Sequence, residues 1–139
     1  LREGAETWSI DGSAQGRTIK ALSSSDISRG QLYASSWPSV FIGGYADHVR
    51  IVRILPVGPE ELELSVEWLF EENTLNDPSY NIQNVIEFAK LVMMQDGKAC
   101  EINQLGMHSI AFEHGILMPE EYLLKRFQDW IRVQLDLPG

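Results

Sequence analysis

Cysteine is almost absent from this sequence: Cys100 is the single thiol in 139 residues. One cysteine excludes an internal disulfide framework and any Cys-rich zinc or iron–sulfur site built within the chain, and it suits a reducing, cytoplasmic setting. Basic side chains are scarce as well, 11 Lys and Arg against 20 Asp and Glu, for a net charge of −9. Nucleic acid and anionic membrane surfaces both reward Lys and Arg, so neither is an expected partner. No apolar run approaches the roughly 18 residues of a membrane-spanning helix. A Gly-rich phosphate loop, a nucleophile elbow and zinc-ligand spacing are also missing. The first residue is Leu1 and not Met, which raises the expectation of a fragment or a processed product.

What is present is ordinary globular material, 44% apolar and 22% charged, in a length that suits one domain with a real core. Residues 1–36 are rich in Gly, Ser and Ala. Within them Thr7–Gly12 reads as a short strand entering an Asp-Gly turn, Arg17–Leu22 as a second strand, and Ser23–Gly30 as a loop. From Trp37 onward the pattern sharpens. Residues 38–42 suit a strand, Gly43-Gly44 a break, and the β-branched run from Asp47 to Leu55 a sheet strand. After a Pro56–Pro59 turn, Leu62, Leu64, Val66, Trp68 and Phe70 alternate with Glu61, Glu63, Ser65 and Glu67. That is a half-buried antiparallel strand, and residues 37–71 together read as a hairpin.

The period then changes. After a polar loop over Asn73–Ser79, Ile82 to about Gly106 reads as a helix, with Val85, Phe88/Ala89 and Val92 stacked at spacings of three and four. Projected onward, that stripe reaches Asp96 and then Cys100, which is expected to be a small core residue. Gly97 costs about 1 kcal/mol against Ala in a helix interior, so a kink or break is expected beside Asp96. Following a connector over His108–Met118, Pro119 suits the first turn of a final helix. Leu123/Leu124, Phe127, Trp130/Ile131 and Leu135 form its apolar stripe, and it is expected to end near Pro138. Strands followed by helices make the fold α+β, with the last helix across the concave face of the sheet.

Asp96 is the residue that asks for an explanation. A carboxylate on an apolar stripe needs a partner or a metal, because a buried charge costs several kcal/mol. It could present oxygens to a metal, or it could cap a second helix beginning at Gly97. Glu101 and Gln104, three apart, could orient such a site or simply form a solvated face. His108 and His114 could complete two histidines and a carboxylate around Fe(II), but their spacing resembles no ligand pair. His48 reads most simply as a strand residue.

Several pieces occur in a telling order: Trp37-Pro38-Ser39-Val40-Phe41, Asp47-His48-Val49, Leu55-Pro56-Val57-Gly58-Pro59 and Glu67-Trp68-Leu69-Phe70. They are followed by Gln95-Asp96…Cys100-Glu101…Gln104-Leu105-Gly106 and Phe127…Trp130. This order resembles the C-terminal part of the catalytic domain of Rieske non-haem iron oxygenase α subunits, the aromatic-ring-hydroxylating dioxygenase family. The resemblance implies a helix-grip, START-like fold in which a curved antiparallel sheet wraps a long C-terminal helix. It also implies that Asp96 is the carboxylate ligand of a mononuclear Fe(II). The remaining histidine ligands and a Rieske [2Fe–2S] cluster would lie upstream of Leu1.

For an intact protein the implied chemistry is hydroxylation or oxidative demethylation of an aromatic or other small organic substrate with O2. Electrons would come from a reductase or ferredoxin, in a homotrimer or an α/β oligomer. Stripe and strand placement make Phe88, Val92 and Phe41 candidate walls of the substrate pocket. The chain by itself is expected to be inactive. The rival expectations are a stand-alone cup for a hydrophobic ligand and a purely structural piece.

Overall fold

A computed structural model describes Leu1 and residues 3–137. Its centre is a four-stranded antiparallel sheet of sequential neighbours: β1 (Gln31–Ser36), β2 (Val40–Tyr45), β3 (His48–Gly58) and β4 (Glu61–Phe70). The alternation expected of β4 is realised through its pairing with β3, where His48, Arg50, Val52 and Ile54 stand opposite Phe70, Trp68, Val66 and Leu64. Side chains two apart share a face, so these eight line one side of the sheet, while Glu63, Ser65 and Glu67 line the other. The register shifts between Pro56 and Gly58, near the turn.

The helices are α1 (Ser24–Ser28), α2 (Glu72–Leu75), α3 (Gln83–Met107) and α4 (Tyr122–Gln134), with a 3₁₀ turn over Pro119–Glu121 leading into α4. The α+β class therefore holds. Pro119 opens the last helical segment as its fixed φ favours, and the Glu121 side chain accepts from the Met118 backbone N–H at 2.7 Å.

The N-terminal third departs from expectation. Residues 7–12 form bends and turns, not a strand, and 17–22 form no strand either. Residues 23–30 are not simply a loop, because Ser23 and Asp26 cap each other's backbone and nucleate α1. The strand that does form, β1, is exposed at every residue, so no burial pattern marks it in the sequence. Gly43-Gly44 lies inside β2 and is not a break.

α3 runs unbroken for 25 residues, straight through Gly97. No neighbouring atom lies within 4 Å of where a Gly97 Cβ would sit, so the helix absorbs the modest cost of glycine there without distortion. Asp96 is thus no N-cap. Val85 and Ala89 are fully buried, and each such burial contributes up to about 1.5–3 kcal/mol for a Val-sized side chain. From Met94 onward the helix is almost wholly exposed, and Cys100 with it, contrary to the core placement expected. The cover supplied by the sheet and the N-terminal segment has ended by that point.

The stripe of α4 is likewise less covered than its periodicity suggests: Phe127, Trp130 and Ile131 are half-buried, but Leu123, Leu124 and Leu135 are exposed. α4 meets the sheet through Trp37 in the β1–β2 turn, whose ring lies 5.8 Å from both Phe127 and Trp130. The helix ends at Gln134, and Pro138, its expected terminus, lies outside the described residues.

Candidate functional site

The sheet face that carries His48, Arg50 and Trp68 is covered at one end by residues 5–14 and by the first half of α3. Ile10 N–H donates to the Asn84 carbonyl at 3.0 Å, Asn84 Nδ2 donates to Asp11 Oδ1 at 2.7 Å, and Trp8 meets Phe88 edge-on at 4.7 Å. Under this cover lie two features, a buried ionisable cluster and a cavity.

The cluster is centred on Asp47, just before β3. Asp47, His48 and Thr7 are almost completely buried, with Tyr80 close to it. Asp47 Oδ1 accepts from the Thr7 hydroxyl and from His48 Nδ1, the latter at 2.7 Å, and Oδ2 accepts from the Tyr80 hydroxyl at 2.9 Å. Burial works against the Asp47 charge, but the hydrogen bonds from His48, Thr7 and Tyr80 outweigh it and leave the carboxyl below its ordinary value. Burial, reinforced by the neighbouring carboxylate, pushes the Tyr80 phenol well up, so it stays a donor. An ionised Asp47 only accepts, which places the proton on His48 Nδ1. Nε2 of that ring is buried and has no partner among the described residues. The imidazole is stacked on Tyr45 at 4.6 Å, with Phe70 at 5.4 Å.

The cavity, of about 420 Å³, is lined by Thr7, Trp8, Ser9, Ile10, Tyr33 and Phe88, among others. Its volume suits a small organic molecule. Thr7 belongs to both features, lining the cavity and donating to Asp47. Gly43 makes room beside it. A Cβ there would stand 3.0 Å from the Tyr45 hydroxyl and 3.2 Å from the Tyr33 ring. Those two tyrosines hydrogen-bond through their hydroxyls at 3.1 Å.

The residues singled out from the sequence are only partly brought together. Phe88 lines the cavity; Val92 is half-buried and Phe41 is 42% exposed, and neither lines it. Asp96 is exposed, and no described side chain pairs with it. At 100° per residue it lies within about 20° of the line through buried Val85 and Ala89, and about 10 Å beyond Ala89 along the axis. The expected stripe is therefore real, but it leaves the covered region before Asp96. Glu101 lies about 140° around the helix from Asp96 and pairs with Lys98 at 3.2 Å, while Gln104 is half-buried. His108 contacts Glu60 in the β3–β4 turn at 2.8 Å, and His114 is exposed. Among the described residues no group of three His, Cys, Asp or Glu side chains could hold a metal ion.

Sequence reasoning passed over Asp47, Thr7 and Tyr80 as an ionisable cluster. One signal was available, an Asp-His pair opening a β-branched strand; Thr7 and Tyr80, 40 and 33 residues away from Asp47, leave no local trace.

An α+β domain with an aromatic-walled cavity is the class that this geometry defines. The sequence matches the model of the ring hydroxylating alpha subunit (catalytic domain) over residues 1–137, and the chain belongs to that family. Among its relatives, a choline monooxygenase, named as chloroplastic, from Atriplex hortensis is 29% identical over 100 residues, 71% of this chain and 23% of that protein. The corresponding protein of Spinacia oleracea is 29% identical over 104 residues, 74% of this chain and 24% of its own length. The glycine betaine monooxygenase oxygenase subunit of Chromohalobacter salexigens is 26% identical over 130 residues, 92% of this chain and 29% of that protein. The chain spans about a quarter of the length of these curated relatives. The family reading made from the sequence is therefore correct. No helix among the described residues is long and apolar enough to cross a membrane.

Proposed function

We propose that this chain is part of the catalytic domain of a Rieske-type oxygenase in which Asp96 supplies the carboxylate to a mononuclear Fe(II). The observation that carries this reading is the position of Asp96. It is an unpaired carboxylate, in line with the buried stripe of α3, held on a rigid helix beyond the cover of the sheet. Family membership supports the same assignment. One carboxylate does not bind Fe(II) tightly, so the other protein ligands, and a [2Fe–2S] cluster with its electron donor, come from outside these residues. When bound, the iron supplies the activation of O2. This chain contributes the carboxylate and an aromatic wall for the substrate. Glu101 and Gln104 are support residues in the same reading, and the chain alone is inactive. The single exposed thiol, Cys100, suits a reducing compartment such as the cytoplasm.

The substrate is a small organic molecule hydroxylated or oxidatively demethylated. The names of the relatives point to quaternary ammonium compounds, and the Trp8, Tyr33 and Phe88 rings offer faces on which such cations bind. In the longer protein that carries this chain, Asp96→Ala is expected to remove the mononuclear iron while leaving the [2Fe–2S] absorption and EPR signals intact. Iron retained at the wild-type ratio would remove Asp96 from the ligand set. A second reading, a cup for hydrophobic ligands without metal chemistry, draws on the cavity being lined within this chain. Ligand affinity that is unchanged when iron is removed, in a protein without oxygenase activity, would favour it.

A further inference from the structure

Three buried polar atoms on one face of the sheet lack partners among the described residues: His48 Nε2, Arg50 Nε and Trp68 Nε1. Arg50 and Trp68 are directly opposite in the β3–β4 register, and His48 precedes Arg50 by two on the same face. Opposed residues have Cα atoms only about 5 Å apart, so their side chains share one space. Arg Nε and Trp Nε1 are donors and never acceptors, so what this space lacks is an acceptor.

Among the described residues Arg50 also lacks a counter-charge. Arg17 and Arg53 meet the carboxylates of Asp77 and Glu67, while Lys20 and Arg126, which meet none, are exposed. Among the described residues Arg50 is the half-buried cation without a carboxylate in ion-pair reach, in a chain of net charge −9. Its guanidinium instead lies 3.9 Å from the Trp8 ring centroid and 5.8 Å from that of Tyr45. The register row Tyr33–Gly43–Arg50–Trp68 crosses the sheet from a wall of the cavity to the two unmet donors. The space over Gly43, in the middle of that row, is taken by the Tyr45 hydroxyl and the Tyr33 ring, which hydrogen-bond at 3.1 Å between the cavity and the two donors.

We propose that Arg50 and the Trp68 indole N–H form a receptor for a carboxylate oxygen, which enters from the cavity of Trp8, Tyr33 and Phe88 by parting the Tyr33–Tyr45 hydroxyl pair. A buried water would satisfy the two donors but would leave the guanidinium without an opposite charge. A carboxylate answers both. Only the use of that cavity rests on the proposed function. The test below needs neither iron nor turnover, so its failure leaves the Asp96 assignment standing.

The test is titration of the full ¹⁵N-labelled chain with sodium acetate at constant ionic strength, following the indole N–H resonances. Acetate is expected to shift the Trp68 resonance downfield and saturably, whereas acetamide and sodium chloride are not. Arg50→Met should weaken this response on the order of tenfold or more, since it removes a charge-assisted contact. Arg50→Lys and Trp68→Phe retain the charge or the ring and should weaken it less; in Trp68→Phe the Trp8 resonance serves as the reporter. Absence of saturation in the wild type, or equal saturation in the Arg50 variants, overturns the proposal and assigns the donors to water. Repeating the titration in the longer protein separates the two sources of carboxylate. Retained saturation identifies a free small acid. A Trp68 resonance already shifted, insensitive to acetate yet restored upfield by Arg50→Lys, identifies a carboxylate from elsewhere in that protein.

Discussion

The Tyr80 hydroxyl donates to Asp47 Oδ2 at 2.9 Å, joining the segment that leads into α3 to the start of β3. Tyr80→Phe keeps the ring that packs edge-on against Phe70 and removes only the donor. Loss of a hydrogen bond to a buried charged group is expected to lower unfolding free energy by about 1.5–3 kcal/mol, read from urea denaturation. Asp47→Ala, which strands three donors, should cost more. A cost below experimental error for both would mean that the cluster contributes nothing to folding.

Acid should find the same cluster. The Asp47 pKa is lowered in the folded chain from its ordinary 3.8, burial opposing the shift and the hydrogen bonds from His48, Thr7 and Tyr80 producing it. Its stabilising contribution is therefore complete above the unfolded pKa and is lost as pH falls through the lower folded value. Urea midpoints of the wild type should decline more steeply below about pH 4 than those of Asp47→Asn, with parallel profiles between pH 5 and 7. Parallel profiles throughout would refute an ionised Asp47 in the folded protein.

Gly43→Ala sets a methyl group 3.0 Å from the Tyr45 hydroxyl and 3.1 Å from its Cε2. Either tyrosine must move, and their mutual hydrogen bond opens. A loss of about 1–3 kcal/mol is expected, as for overpacking elsewhere, together with a changed near-ultraviolet circular dichroism. Gly44→Ala is the control, since its nearest atom stands at 3.8 Å.

On α3 the expectation has the opposite sign. Gly97 is exposed, helical and free of neighbours, so Gly97→Ala should stabilise the chain by about 0.5–1 kcal/mol. Its neighbour Asp96 is equally exposed, and Asp96→Ala should change stability by no more than about 0.5 kcal/mol. The pair separates a metal-binding role for Asp96 from a folding one. Calorimetric titration of the wild-type chain with Fe(II) under anaerobic conditions should show no sub-micromolar stoichiometric site; finding one would contradict the proposed division of ligands.

Trp37 is the tie between α4 and the sheet, with Phe127 and Trp130 both 5.8 Å from it. Trp37→Ala is expected to accelerate amide exchange across Tyr122–Gln134 while leaving the β3–β4 amides as protected as before. Uniform acceleration of all amides would mean that α4 and the sheet unfold as one unit.

Much of this was legible where a residue's neighbours in sequence are also its neighbours in space. The alternation from Leu62 to Phe70, the threefold and fourfold spacing of Val85, Ala89 and Val92, and Pro119 at a helix start all depend on local geometry. Leu32 and Tyr33 in β1 are held by pairing with β2 alone, with exposed side chains, so hydrophobic patterning carried no sign of them. Cys100 and Leu124 failed in the other direction. Their periodicity is correct, but the surface that would cover them is not supplied by these residues. Asp47 needed partners from two remote segments before its chemistry could be seen.

The unbroken length of α3 makes it a beam held at both ends. Val85 and Ala89 are buried at one, His108 meets Glu60 just past the other, and Asp96 stands between them, about 16 Å from Val85 at about 1.5 Å per residue. Over that distance a tilt of roughly 5° would displace the Asp96 carboxylate by about 1.4 Å, a motion that the His108–Glu60 contact opposes. The position of Asp96 is thus set by two contacts remote from it, the buried Ala89 and the His108–Glu60 pair.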